Sequence, residues 1–400
     1  MQQKNYSKYE SFSYLEKDKD FRQFVLPGKE RWAETTHIPL DRREEELLSS
    51  VFKDNITISM RDHGFIAPDI EKDILQYCKQ LHTIYDYEGL SWSGVDVIFE
   101  NFMDGIAINS SANGLKWDDV IYNLGIRYAD IAKQETVYIA TNTNEINLAQ
   151  ERNKIALVPS LEAANIIENE VDRVDILYGF GIRCMGITYN DSNTLGAGLT
   201  EENDGGLTNF GKKVIERMNK IGMLIDISHC GDKTSLDVID TSDSPVLITH
   251  AGAREIWNTP RMKSDEVLQA CARNGGVIGV CAAPNTTLSN RDPNHHTIDS
   301  VIDHIDYLIN LVGVEHVGLG LDTFYGDHGA IQHAFDDMLS IDVSHKGTQQ
   351  TESNYVVGLE NPTEATKNIA KYLIKNGHEK DHIVKILGEN IYRVLENNLR

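Results

Sequence analysis

The chain has 400 residues, of which 40% are apolar and 25% charged, enough for a large core and too ordinary a mixture for wholesale disorder or a collagen-like repeat. Its 38 lysines and arginines against 61 aspartates and glutamates give a formal charge of −23. Such a surface repels phosphate backbones and anionic lipid, so neither nucleic acid nor a membrane surface is an expected partner. No run approaches the roughly 18 apolar residues of a transmembrane helix.

Residues 1–50 are polar and mixed in charge. They read as an N-terminal extension with a helix near its end. Met1–Phe24 lacks the basic and apolar regions of a signal peptide. The five cysteines, Cys78, Cys184, Cys230, Cys271 and Cys281, are odd in number and widely spaced, without a CxxC pair. Reduced thiols, and hence a cytoplasmic location, are expected.

Residues 51–400 alternate short apolar runs with helical periodicity. The expected strands are Ile56–Met60, Val95–Phe99, Ile155–Leu161, Arg183–Thr188, Met223–Ser228, Pro245–Thr249, Gly276–Cys281 and His316–Leu321, with Thr136–Ala140 as an accessory segment. The expected helices are Asn209–Ile221, Lys233–Ile239, Asp265–Ala272, Ile298–Val312, Pro362–Asn376 and Asp381–Glu396. Runs this continuously apolar are buried on both faces, as in parallel sheets. Their alternation with helices over ~250 residues predicts an α/β fold of the (β/α)8 TIM-barrel type. A doubly wound sheet is the rival, but no glycine-rich dinucleotide fingerprint follows an early strand. Asn190–Gly206 and Thr323–Asn361 are expected as long functional loops.

Polar residues follow these strands in a consistent way. Glu162, Tyr189, His229, His250 and Asp322 each stand at or just past the C-terminal end of an apolar run. In a (β/α)8 barrel those ends converge on one mouth. A lone histidine there is more often structural than a ligand; two imidazoles and two carboxylates together predict a divalent metal site, with zinc the best match. His63 follows the first strand and extends the set, with Asp62 beside it. His295 and His296 lie in a polar stretch and read as surface. Trp257 reads equally well as a pocket wall or as a packed loop residue.

From about residue 55 to 400 the chain resembles the membrane (renal) dipeptidase family of zinc peptidases, family M19, on the amidohydrolase-type barrel. The resemblance rests on Tyr189-Asn190-Asp191-Ser192-Asn193, on Asp204 to Gly211, and on Met218 to His229. It continues in Ile248-Thr249-His250-Ala251, Pro260-Arg261-Met262-Lys263-Ser264-Asp265, Gly275 to Val280, and His316 to Asp322. It implies a site of two zinc ions with Glu162 as the bridge, His229 and His250 on the second ion and His63 on the first. Arg261 corresponds to the arginine that grips the substrate carboxylate, Asp322 to the acid/base aspartate, and Tyr189 to a substrate-contacting position that carries histidine in other members. The chain departs from the family pattern at the first strand. Arg61 and Phe65 stand where aspartates are expected, so the first metal site is expected to be weak, empty or rebuilt with Asp62, and one or two zinc ions are anticipated.

The activity this implies is hydrolysis of a dipeptide, or a similar small amide with a free carboxylate, by metal-activated water. The alternatives are hydrolysis of a lactone, cyclic amide or acyl-amino acid on the same site, or a metal-poor barrel that binds a ligand without catalysis. Homodimers are common in the family, so a second copy is a possible partner.

Overall fold

The computed structural model describes residues 3–32, 36–102, 116–346 and 353–399. Among them are nine strands: β1 Ile58–Ser59, β2 Val97–Asn101, β3 Val137–Ile139, β4 Ile155–Leu161, β5 Cys184–Gly186, β6 Leu224–Asp226, β7 Val246–Ala251, β8 Ile278–Val280 and β9 Val317–Leu319. Every pairing is parallel, and β1, β2, β4, β5, β6, β7, β8 and β9 close into a ring through Ser59 opposite Leu319. The fold is therefore an eight-stranded (β/α)8 barrel. The accessory strand β3 lies outside the ring and pairs only with the first half of β4, from Ile155 to Leu157.

The period of two along a strand decides what faces the interior. Ala156 and Val158 of β4 join Val97, Phe99, Leu224 and Leu247 in one buried cluster inside the barrel. Ile155, Leu157 and Leu161 join the larger cluster shared with the surrounding helices. Continuing the same alternation, Glu162 turns inward at the barrel mouth. At Gly186, on the neighbouring β5, a Cβ atom would lie 2.0 Å from the Glu162 carbonyl oxygen, so only glycine lets the backbones approach this closely.

The helices follow their signals. Asn209–Ile221 opens on Thr208, whose side chain accepts from Gly211 N, buries Val214, Ile215 and Met218, and ends at left-handed Gly222. Asp265–Arg273 and Ile298–Val312 also form as expected. The C-terminal segment is broken into Lys380–Val384 and Asn390–Asn398 around a π-turn. Thr323–Asn361 is not the continuous loop expected, because it carries the helices His328–Leu339 and Ile341–Ser344. Its polar composition concealed a helix that Asp327 caps by accepting from Ala330 N.

The N-terminal arm is tied to the barrel flank. Phe12, Phe21 and Phe24 are buried. The buried Asp130 carboxylate accepts from Tyr9 Oη at 2.8 Å, Ser11 Oγ at 2.7 Å, the Phe12 amide at 2.7 Å and Tyr87 Oη at 2.7 Å.

Candidate metal centre

Three Lewis bases converge at the barrel mouth. Glu162 Oε1 lies 3.2 Å from His229 Nε2 and 3.1 Å from His250 Nε2, and the two Nε2 atoms are 2.9 Å apart. The hydrogen-bond network assigns the ring protons. His229 Nδ1 donates to Asn190 Oδ1 at 2.8 Å. His250 Nδ1 faces Thr249 Oγ1 at 2.7 Å, and that hydroxyl donates to Asp226 Oδ2 at 2.7 Å, so it accepts from His250. Both Nδ1 atoms therefore carry the proton, and both Nε2 lone pairs point at each other and at a carboxylate oxygen. Three acceptors at such separations repel unless a cation sits among them. The donor set, two neutral imidazoles and one carboxylate, fits a divalent metal ion.

The protonation states agree. Burial, and then the Arg261 charge, pushes His229 down to about 3. Burial and then Arg61 lower His250. Burial alone would raise Glu162, but Arg61 and the two histidines override it and hold the carboxyl well below the usual range. Its second oxygen accepts from Asn101 Nδ2 at 2.8 Å.

Asp226 organises the floor beneath. Its Oδ1 accepts from Ser228 N at 3.0 Å, Ser228 Oγ at 2.6 Å and Thr249 N at 3.0 Å, and its Oδ2 accepts from Thr249 Oγ1 at 2.7 Å, with Arg61 Nη2 3.9 Å from that second oxygen. Burial would raise this carboxyl, but His250 and Arg61 keep it low.

His63 stands apart from the triangle. Its Nδ1 is 3.3 Å from Glu100 Oε1 and its Nε2 is 3.1 Å from Asp322 Oδ1, so both ring nitrogens face carboxylates. Among the described residues the groups able to share one ion are Glu162, His229 and His250. Asp322 follows β9 with a positive φ of 59°, a left-handed turn that aspartate tolerates better than most residues. Burial would raise its carboxyl, but the His63 hydrogen bond holds it well below the usual range. Asp62, anticipated as a substitute ligand, is buried and faces away. Its Oδ1 accepts from Thr323 N at 2.9 Å and Thr323 Oγ1 at 2.6 Å. Phe65 stacks on Phe324 with centroids 4.6 Å apart.

One pocket of about 680 Å³, its open mouth included, is lined by His63, Glu162, Tyr189, His229, Arg261 and Asp322. An apolar wall of Phe65, Phe324, Ile331, Phe335 and Ile341 completes it. Tyr189 stacks on His229 with ring centroids 4.1 Å apart. Burial, then Glu162 and Asp322, holds its phenol well above the usual range, so it remains a donor. Arg261 Nη1 and Nη2 are anchored on Ser228 O at 3.3 Å and His250 O at 2.8 Å.

Several contributors escaped the sequence reading. Glu100 and Asn101 end β2, and extending that strand past Phe99 by the strand-end rule would have found both. Asp226 ends β6 but lay inside the longer expected strand Met223–Ser228, and Asn190, His328 and His345 carry no strand-end signal of their own. His296, expected at the surface, is buried, with its ring accepting from Asn285 N at 3.0 Å. Trp257 packs with Met262 and Leu288 and does not line this pocket.

Comparison with known proteins follows the same outline. The family model described as "Membrane dipeptidase (Peptidase family M19)" matches residues 123–341, a span that holds Glu162, Tyr189, His229, His250, Arg261 and Asp322. Dipeptidase tcpJ of Claviceps purpurea is 26% identical over 297 residues, covering 74% of this chain and 62% of its own length. Dipeptidase verJ of Clonostachys rogersoniana is 29% identical over 282 residues, covering 70% of this chain and 63% of its own length. The matched part of the chain thus spans about three fifths of these relatives. Among solved structures, an amidohydrolase from Pseudomonas aeruginosa superposes with a TM-score of 0.70 at 24% identity, covering 88% of this chain and 98% of that one. A barrel that gathers its glutamate and histidines at the strand ends, and a family match that contains them, lead to one conclusion: the chain belongs to the membrane dipeptidase family, peptidase family M19.

Proposed function

We propose that the chain is a zinc-dependent hydrolase that cleaves a dipeptide, or a similar small amide bearing a free carboxylate. The observation that carries this reading is the triangle of Glu162, His229 and His250, with its ring protons directed outward and with Glu162 and His229 lining one pocket with Arg261. A divalent ion held by Glu162, His229 and His250 would supply Lewis acidity toward the scissile carbonyl and a nucleophilic water at neutral pH.

The chain's own residues do the rest. Arg261 presents its planar guanidinium to the substrate carboxylate. Tyr189 donates its O–H to the carbonyl oxygen as negative charge develops there. Asp322, ionised and oriented by His63, takes the proton of the attacking water and passes it to the leaving amine. Amide hydrolysis by zinc-loaded protein, screened over dipeptides in L,L and L,D forms, tests the reading. No turnover of any member would overturn it.

Zinc is favoured by two imidazoles and a carboxylate with room for a water. We propose one ion per chain, because both nitrogens of His63 are directed at Glu100 and Asp322 and Phe65 offers no ligand atom. Elemental analysis of protein purified without added metal is expected to give one zinc per chain. Two would show that His63 leaves its carboxylates to bind.

Arg261→Ala is expected to raise KM and lower kcat/KM about 10- to 100-fold, as for a charge-assisted hydrogen bond of about 1.5–3 kcal/mol. The loss is confined to substrates with a free carboxylate. An equal loss on carboxyl-amidated substrates would contradict this role. All five cysteines are buried thiols, which supports our proposal of a reducing, cytoplasmic setting.

A further inference from the structure

His345 is a part of the pocket that the reaction above does not use. It caps the short helix Ile341–Ser344 and lines the cavity together with Arg261 and Ser344. The Arg261 amide donates to Ser344 O at 3.0 Å, which fixes this helix beside the carboxylate-binding side chain. The imidazole is 5% exposed. Its Nδ1 donates to Ile341 O at 2.9 Å. Ser344 Oγ, 3.3 Å from that nitrogen, already donates to Ile341 O at 2.6 Å and is therefore an acceptor toward His345. Nδ1 thus carries the proton and Nε2 carries a lone pair. Nε2 is buried and has no hydrogen-bond partner among the described residues.

A buried acceptor without a protein donor is a cost that native structures rarely tolerate unless a ligand or an ordered water satisfies it. Burial, and then Arg261, pushes His345 down to about 4, so the ring stays neutral near pH 7 and cannot itself pair with a carboxylate. A cationic donor is disfavoured too, because the Arg261 charge stands next to it. What remains is a neutral donor, a hydroxyl or a carboxamide N–H, on the part of the substrate that Arg261 holds.

We infer that His345 Nε2 accepts a hydrogen bond from the side chain of the substrate's carboxyl-terminal residue, so that the preferred substrates carry a hydroxyl or carboxamide there. The inference rests on the proposed hydrolysis and on the assignment of Arg261 to the carboxylate. It makes His345 a specificity-determining residue. A site built around a hydrogen-bond acceptor discriminates strongly against an isostere that lacks the donor.

The test uses near-isosteric pairs with and without a donor: Leu-Thr against Leu-Val, Leu-Asn against Leu-Leu, and Leu-Gln against Leu-Met. With zinc-loaded protein, the donor-bearing member of at least one pair is expected to have the higher kcat/KM by about 10-fold or more. In His345→Phe, checked for folding by circular dichroism, that ratio is expected to fall to near one. Ratios near one for all three pairs in the unaltered protein would overturn the inference, whether or not the variant folds. An undiminished ratio in folded His345→Phe would overturn it too. So would an equal loss on both members, since His345 would then be reading the backbone N–H. Calorimetry with the free amino acids of each pair is read independently of turnover. If no dipeptide is cleaved but threonine, asparagine or glutamine binds more tightly than its partner in a His345-dependent way, the proposed hydrolysis fails and the role of His345 stands.

Discussion

Alanine in place of His229 is expected to abolish metal uptake and turnover together. His229 contributes one of three bases that lie within 3.2 Å of one another, and alanine leaves two, too few for a stable tetrahedral site with an open position. Zinc affinity should fall by well over the roughly 10- to 100-fold that loss of an outer hydrogen-bond partner brings. Asn190→Ala provides that comparison. It removes the oxygen that keeps the proton on His229 Nδ1, so its effect should fall within the smaller range. Calorimetric zinc titration and amide hydrolysis, measured on the same preparations, check both variants. Full activity in His229→Ala would remove the proposed centre.

The second large effect is expected at Asp226, which belongs neither to the pocket lining nor to the metal triangle. Asp226→Ala removes a carboxylate beside the buried Arg61 guanidinium and strips acceptors from the amides and hydroxyls of Ser228 and Thr249. Breaking a buried charge pair costs about 3–5 kcal/mol, so the denaturation midpoint should fall markedly. Metal binding should weaken as well, for a separate reason. Once Thr249 Oγ1 has lost its acceptor, its proton is free to turn toward His250 Nδ1. The ring proton then moves to Nε2, into the space meant for the ion. A variant with the original midpoint and the original zinc affinity would show that the Asp226–Thr249–His250 chain has no such influence.

Much of this was legible in the sequence because parallel barrels write their chemistry at a fixed place. Apolar strands of period two end at the mouth, and Glu162, Tyr189, His229, His250 and Asp322 each stood at such an end. β3 was legible as an extra strand because its run, Thr136–Ala140, exceeded the eight a barrel needs. The residues that were missed obey other rules. Asn190 and Asp226 matter through hydrogen bonds between neighbouring segments, and no spacing announces those. The direction of Asp62 is set by Thr323, 261 positions away. The helix His328–Leu339 hid in a tract that reads as polar over its whole length, although His328 meets Phe324 and Ile331 and Phe335 line the pocket. His345 could not be read at all, since its role depends on which nitrogen the Ile341 carbonyl engages.

The closure of β1 against β9 has a consequence for the order in which the centre is built. Glu162, His229 and His250 lie within one continuous stretch of β4 to β7, so the cation site is complete once half the barrel has paired. The His63–Asp322 contact spans 259 positions and exists only when the first and last strands meet. Contacts of such separation form late, because the loop they close must be ordered first. During synthesis the residues of the candidate metal triangle can therefore come together before His63 meets Asp322. On the proposed assignment of Asp322 as the base, a barrel that has gathered the triangle but not yet closed would still lack it.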